Sequence, residues 1–305
     1  MSEVKDKPAL CGFLNVLKPP GMTSAQVVGF VRRLMGGVKV GHAGTLDPEA
    51  AGVLPLMIGK AARLFDYMQE KEKAYVAEVA FGAATDTQDA QGQAIAWGEN
   101  YPSKQGILAA LPAFRGEIWQ KPPMFSAIRM DGKRLYELAW EGKEAEVPRR
   151  QVTVHRLELL EMTEPKGALL EVACSKGFYV RTLCQDLGEA LRCPSHMRFL
   201  LRVRSGVFTL ETARTLETLK KAAEQGTLEE TLLPPEAGLP HLPKVQVPEK
   251  CRSAFLHGGT LKWAAFPEGK DLEEGVPVGF WMDERLAAIG VRQEGLAKLK
   301  TWLLD

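Results

Sequence analysis

Gly41-His42-Ala43-Gly44-Thr45-Leu46-Asp47-Pro48 forms a glycine-flanked loop that carries one imidazole and one carboxylate. Glycine admits backbone shapes that a Cβ resists, His42 offers a flat ring for stacking or hydrogen bonding, and Pro48 keeps Asp47 out of the α conformation. A loop this restricted, carrying one ring and one carboxylate, is shaped to present chemistry. The same residues also read as a helix start, with Asp47 as N-cap and Pro48 in the first helical position. Arg181 is the second residue out of its local place. It falls in the first turn of a helix whose buried stripe is Val180, Leu183, Cys184, Leu187 and Leu191, where the helix dipole favours anions. A carboxylate or phosphate above that turn would relieve the conflict; an exposed arginine is the alternative.

Several elements must position these groups. Thr23 with Gln26 makes a capping-box pattern, and Val27, Val28, Phe30, Val31 and Leu34 recur at helical spacing up to Gly36-Gly37. Residues 60–70 read as a second short helix. Tyr75, Ala77, Val79 and Phe81 alternate as one face of a strand. Strands are expected at 152–160, 168–174 and 202–210. Residues 121–150 mix Arg129, Lys133 and Arg134 with Phe125, Tyr136 and Trp140, as in a basic, aromatic surface arm. Prolines at 234, 235, 240, 243 and 248 mark a semi-rigid linker. A short helix at 249–257 and apolar runs such as Val278-Gly279-Phe280-Trp281 follow, enough for a small, mainly β module.

Composition narrows the chemistry. The 305 residues carry a net charge of +1, but residues 1–63 hold eight Lys/Arg against four acids and residues 176–204 six against two. From 205 onward twelve Lys/Arg face fifteen acids. Two basic segments in a near-neutral whole point to one basic face rather than a generally sticky protein; scattered solvated lysines are the plain alternative. Five cysteines without a C-x-x-C pair disfavour a disulfide framework and a structural zinc site. No apolar run spans a bilayer and the N-terminus lacks a signal pattern, so a reduced, cytoplasmic, metal-free protein is expected. Gly52 to Gly59-Lys60 lacks Walker A spacing, and no G-x-G-x-x-G follows a strand. Asp86 and Asp89 read as a hairpin turn rather than a calcium loop, since the downstream glutamate is missing.

The segments Leu14 to Ser24, Lys39 to Pro48, Lys73-Ala74-Tyr75, Ser175 to Leu183 and Leu200-Leu201-Arg202 resemble, in order and spacing, the bacterial TruB family of tRNA pseudouridine synthases. The resemblance implies an α+β fold with a mixed, mostly antiparallel sheet and flanking helices. It also implies a catalytic domain over 1–240, with a substrate-clamping arm at about 121–150, and weakly a PUA-like RNA-binding module over 245–305. The implied reaction turns uridine 55 of the tRNA T-loop into pseudouridine, with no cofactor, metal, membrane or obligatory protein partner. Asp47 would be the catalytic nucleophile and Arg181 its partner. His42 would fill the space left by the flipped base, Tyr75 would stack on the uracil, and Tyr179 and Leu200 would line the pocket. Lys18 would support the loop or bind a phosphate. Two alternatives stand beside this reading: a guide-RNA-dependent synthase of the same superfamily, and a non-catalytic chaperone of the tRNA elbow.

Overall fold

The computed structural model describes residues 10–68, 72–126, 128–130, 132–143, 145–164 and 166–304; the N-terminal segment inspected for a signal pattern lies outside them. The main sheet has nine strands. Along its principal path the order is Gly12–Lys18, Ala51–Ile58, Ser195–Ser205, Lys73–Phe81, Gly167–Cys174, Arg150–Thr163 and Gly116–Gln120. Val40–His42 adds to Ala51–Ile58, and Phe208–Thr209 to Ser195–Ser205. Every pairing is antiparallel except Ser195–Ser205 on Ala51–Ile58, where Leu201 faces Ala51 and Arg202 faces Gly52. The α+β class with a mixed, mostly antiparallel sheet is therefore realised. At the parallel junction Gly52 has φ 115°, and a Cβ there would stand 2.2 Å from the Arg202 carbonyl oxygen. Only glycine lets those two strands approach.

Helices cover the sheet because their apolar stripes face it. Ser24–Leu34 begins at the expected capping box: the Gln26 N–H donates to Thr23 Oγ1 at 3.1 Å and the Thr23 N–H to Gln26 Oε1 at 2.7 Å. Its buried Val27 and Val31 join Leu54, Leu56, Tyr75, Ala77, Leu183, Leu187 and Leu200 in the central core. The helix Val180–Ala190 buries Val180, Leu183, Cys184 and Leu187 as its spacing requires.

Three expectations shift. Residues 60–70 contain a 3₁₀ segment, Gly59–Tyr67, with Ala61 and Leu64 buried three residues apart; that spacing suits three residues per turn. The strand expected at 202–210 is Ser195–Ser205, followed after a turn by the two-residue Phe208–Thr209. Bulges between Met197 and Phe199 and between Arg202 and Arg204 break the alternation by which a strand is recognised. The proline-rich stretch is packed down rather than free. Leu233 and Phe13 exchange backbone hydrogen bonds of 2.8 Å, Leu239 is buried, and His241 Nε2 lies 2.9 Å from the Tyr67 carbonyl oxygen.

The C-terminal sheet orders Lys244–Gln246, Pro277–Met282, Arg285–Gln293 and Leu296–Trp302. Its own core holds Phe255, Trp263, Phe266 and Phe280, with rings in tilted and edge contacts. Trp281, Leu286, Ile289 and Leu303 instead share a cluster with Phe13, Val53, Met57, Leu64 and Phe208 of the main sheet region. Tyr67 and Thr301 hydroxyls meet at 3.1 Å, and Lys60 reaches the Leu304 carbonyl. No described helix is long and apolar enough to cross a membrane.

Candidate active site

The loop from His42 to Ala51 does not start a helix. The Ala50 N–H closes one turn on the Asp47 carbonyl at 3.1 Å, and the chain then enters Ala51–Ile58. Asp47 is thus released from capping. Of the loop glycines, Gly44 takes the left-handed conformation, with φ 135°.

Five carbonyls of this loop, those of Gly44, Thr45, Leu46, Pro48 and Ala50, accept hydrogen bonds from side chains. Arg202, fully buried, donates through Nη2 to Gly44 O at 3.2 Å, through Nη1 to Thr45 O at 3.2 Å and through Nε to Val53 O at 2.7 Å. Ser24 Oγ accepts from the Leu46 N–H at 2.9 Å and donates to the Leu46 carbonyl at 3.1 Å. Lys18, also fully buried, gives Nζ hydrogens to the carbonyls of Pro19, Pro48 and Ala50 at 2.8, 2.8 and 2.7 Å. Burial draws its pKa down to about 8, against the pull of Glu49 and Asp47. Lys18 therefore braces the loop, and its place among substrate-binding residues is corrected: a covered ammonium with all three hydrogens committed has none for a phosphate. Lys18→Met should cost a few kcal/mol by orphaning buried carbonyls and lower activity. The salt dependence of RNA binding should stay unchanged, as measured by urea unfolding and by titration at several salt concentrations.

The carboxylate so held faces Arg181. Asp47 Oδ2 lies 3.0 Å from Arg181 Nε, and Oδ1 accepts from Nη2 at 3.3 Å. The Asp47 side chain is 35 % exposed, whereas that of Arg181 is 6 % exposed, so a reactant can reach the carboxylate but not displace the arginine easily. Arg181 also donates to the carbonyls of Phe125 and Thr87, at 2.9 and 3.3 Å, and Nη1 lies 3.7 Å from Asp89 Oδ2. These anions and carbonyls answer the conflict of a cation in the first helical turn. Burial raises the Asp47 pKa above the ordinary aspartate value, Arg181 opposes the rise, and Asp89 reinforces it. The site thus holds a poorly solvated carboxylate that its arginine keeps ionisable.

The remaining residues are brought to the same face to different degrees. Tyr75 pairs in register with Arg202. It is almost wholly buried, and its hydroxyl pKa is pushed up to about 12, which keeps it a neutral phenol. Leu200 is buried opposite Ala77, two strand positions along. His42 is half-buried, and its Nδ1 accepts from the Gly44 N–H at 3.3 Å. Burial and Arg202 lower its pKa, so the ring is neutral. Tyr179 precedes the helix Val180–Ala190, and the Gln120 amide latches both its N–H, at 2.9 Å, and its carbonyl, at 3.2 Å. The root of the arm docks beside it: Thr182 Oγ1 donates to the Lys121 carbonyl at 3.2 Å. Farther out, the arm forms the hairpin Arg129–Met130 with Lys133–Arg134 and the helix Leu135–Trp140, where Trp140 is exposed and Tyr136 meets it edge-on.

Sequence reasoning missed Arg202, Asp89, Gln120 and Ser24 as parts of the site. An arginine inside the apolar run Leu200-Leu201-Arg202-Val203 was the available signal for the first. Asp89 does belong to a turn, as expected: its Oδ1 accepts from the Gln91 N–H at 3.0 Å, and Ala83–Thr85 pairs with Ala94–Trp97 around it. Among the described residues no group of three or more His, Cys, Asp or Glu is placed to hold a metal.

A carboxylate–guanidinium pair stands on a braced loop beside tyrosines and an aromatic arm, and this arrangement is the candidate active site of the chain. Comparison with known proteins gives its class. Residues 32–180 match the N-terminal domain of the TruB family pseudouridylate synthases, and residues 181–240 match the tRNA pseudouridylate synthase B C-terminal domain. A tRNA pseudouridine synthase B of Symbiobacterium thermophilum is 49 % identical over 81 % of this chain and 82 % of its own. One of Heliobacterium modesticaldum is 41 % identical over 96 % and 93 %. Among solved structures, an H/ACA RNP bound to a substrate RNA containing 2′-deoxyuridine holds a chain similar at TM-score 0.72 and 26 % identity. That match covers 96 % of this chain and 85 % of the other. A Cbf5–Nop10–Gar1 complex matches at TM-score 0.72 and 28 % identity, over 96 % and 84 %. The chain belongs to the TruB family of pseudouridine synthases.

Proposed function

We propose that this enzyme converts uridine to pseudouridine at position 55 of the tRNA T-loop, on bare tRNA and without cofactor or partner protein. The reaction breaks the bond from C1′ to N1 and forms one from C1′ to C5; C5 gives up its hydrogen as a proton and N1 takes one up, so the product is an isomer of the substrate. Electrons balance within the nucleotide, so one nucleophile suffices. The observation that carries the reading is the partly exposed Asp47 carboxylate held two-pronged by Arg181; RNA binding alone gains nothing from a carboxylate beside phosphates.

The target base leaves its stack at a cost of a few kcal/mol. His42, half-buried at the start of the loop, occupies the gap, and its neutral ring suits stacking. Tyr75 packs against the uracil as a neutral phenol, while Tyr179 and Leu200 complete the pocket. The arm, with Arg129, Lys133, Arg134 and exposed Trp140, grips the T-arm by phosphate contact and stacking. Residues 1–240 form the catalytic part, and 245–305 a PUA-like module adding a second RNA contact. The protein acts in the cytoplasm.

A second reading has its own support, because two similar solved structures come from H/ACA and Cbf5 assemblies. It makes this a guide-dependent synthase. Purified protein incubated with an unmodified tRNA transcript and with a T-arm hairpin separates the two. Pseudouridine mapped by mass and sequence position to the T-loop, with nothing else added, supports the stand-alone reading; no product until a guide or partner is supplied overturns it.

A further inference from the structure

We infer that Lys73 is a positioning residue that holds a phosphate of the nucleotide presented to Asp47. Lys73 opens the strand Lys73–Phe81 two residues before Tyr75, so both side chains leave the same face of the sheet. Gly44 of the catalytic loop lies over them. The point where a Gly44 Cβ would stand is 3.5 Å from Lys73 Nζ and 3.9 Å from Arg202 Nη1. Two cations thus converge on a space that the glycine leaves open.

The two are not equivalent. Arg202 spends donors from all three of its nitrogens on the carbonyls of Gly44, Thr45 and Val53. The Lys73 ammonium has no hydrogen bond or ion pair among the described residues. Neighbouring Glu72 is turned elsewhere, 3.1 Å from His155 Nε2 and 3.5 Å from Arg204 Nη2. The charged and titratable groups that reach Lys73 are Arg202, which repels it, and the Cys174 thiol. A half-buried cation beside a like charge, with no carboxylate opposite, lacks a partner that RNA supplies in quantity. Burial, seconded by Arg202, has already drawn its pKa down to about 8, which an arriving anion would reverse.

Position separates this role from chemistry. The charges felt at Asp47 are those of Arg181, Asp89, Lys18 and Arg202, not that of Lys73. Lys73 Nζ instead approaches the loop at Gly44, three residues before the reacting carboxylate. It fixes where the nucleotide sits rather than touching the bond that breaks. The inference rests on Asp47 as the reacting group.

T-arm RNAs carrying a methylphosphonate at either linkage of the target uridine remove one phosphate charge at a time. Wild type, Lys73→Met and Lys73→Arg are assayed on these and on unmodified RNA for single-turnover rate, affinity and its salt dependence. Lys73→Met should slow turnover about 10–100-fold, the worth of one charged hydrogen bond. Its salt slope should fall by roughly one phosphate contact, and Lys73→Arg should restore most of the rate. One of the two neutral linkages should slow wild type equally and Lys73→Met no further. A neutral linkage that slows Lys73→Met as much as wild type, or an unchanged salt slope, overturns the assignment. Folding is checked by the thermal midpoint of Lys73→Met, which should not fall, since a cation repelled by Arg202 has been removed; should it fall, Lys73→Arg on the same linkages decides. Turnover by Asp47→Ala in this assay would instead refute the catalytic reading, while the slope still reports the phosphate contact.

Discussion

Asp47→Ala should abolish pseudouridine formation while tRNA affinity stays within a few-fold of wild type. Removing a nucleophile costs on the order of 10⁴ or more in rate, whereas deleting one negative charge from a site that binds a polyanion cannot weaken attraction to phosphate. The loop would keep its shape, because Arg202, Ser24 and Lys18 grip its carbonyls and none of them relies on the Asp47 side chain. Arg181 would retain the Phe125 and Thr87 carbonyls and its proximity to Asp89. Asp47→Glu should be equally inactive. The bracing that orients the aspartate leaves no freedom to draw back a longer side chain, and a displacement of about 1 Å loses attack geometry. Single-turnover assays with matched binding measurements decide the matter; measurable turnover by purified Asp47→Ala would sink the nucleophile assignment.

The sequence made Asp47 and Arg181 legible as a candidate pair for different reasons in each half. Asp47 was marked by local punctuation, glycines before and proline after, and Arg181 by its clash with the dipole of its own helix. Their meeting across 134 residues was not readable from spacing; it depended on the family resemblance. The capping box at Thr23 was readable because it is closed within four residues. What stayed hidden was held by tertiary structure. Arg202 looks like a surface charge on an ordinary strand, yet plain alternation puts it on the inner face with Leu200, opposite Tyr75. Gln120 gains its role only where Tyr179 arrives, 59 residues later. The proline stretch read as a spacer by composition, yet Leu233 and Leu239 give it apolar anchors on the main sheet.

The hidden residues have a common purpose. A loop that must present a carboxylate to RNA cannot be held by surface lysines, which phosphate would capture. Lys18 and Arg202 escape this by being fully buried, with their donors turned to backbone carbonyls. Their charge still reaches Asp47 and helps to keep it ionised against burial. Support and electrostatics come from the same two side chains, so the site is set before the substrate arrives.

Arg181 provides the sharpest test of that electrostatic account. Asp47 must be ionised to attack, so activity disappears as pH falls through its folded-state pKa. Burial has raised that pKa, which places the acid limb of the rate profile above the ordinary aspartate value. Arg181 is the largest influence holding it down, and Asp89 pushes it up. Arg181→Met should therefore move the limb to still higher pH, because burial and the charge of Asp89 would act on Asp47 without the guanidinium against them. At neutral pH its rate should fall on the order of 10²–10³, as when one preorganised donor is lost, and part of that loss should be recovered as pH rises. Arg181→Lys should hold the limb nearer its wild-type position, because the charge remains. Its plateau rate should stay low, since an ammonium cannot make the two-pronged contact of Nε and Nη2 with Oδ2 and Oδ1. The salt dependence of tRNA binding should barely change in either variant, because a guanidinium 6 % exposed and committed to Asp47 is not a phosphate contact. A salt slope reduced by about one unit with the acid limb unmoved would assign Arg181 to the RNA backbone instead. The pairing with Asp47 would then have no part in catalysis.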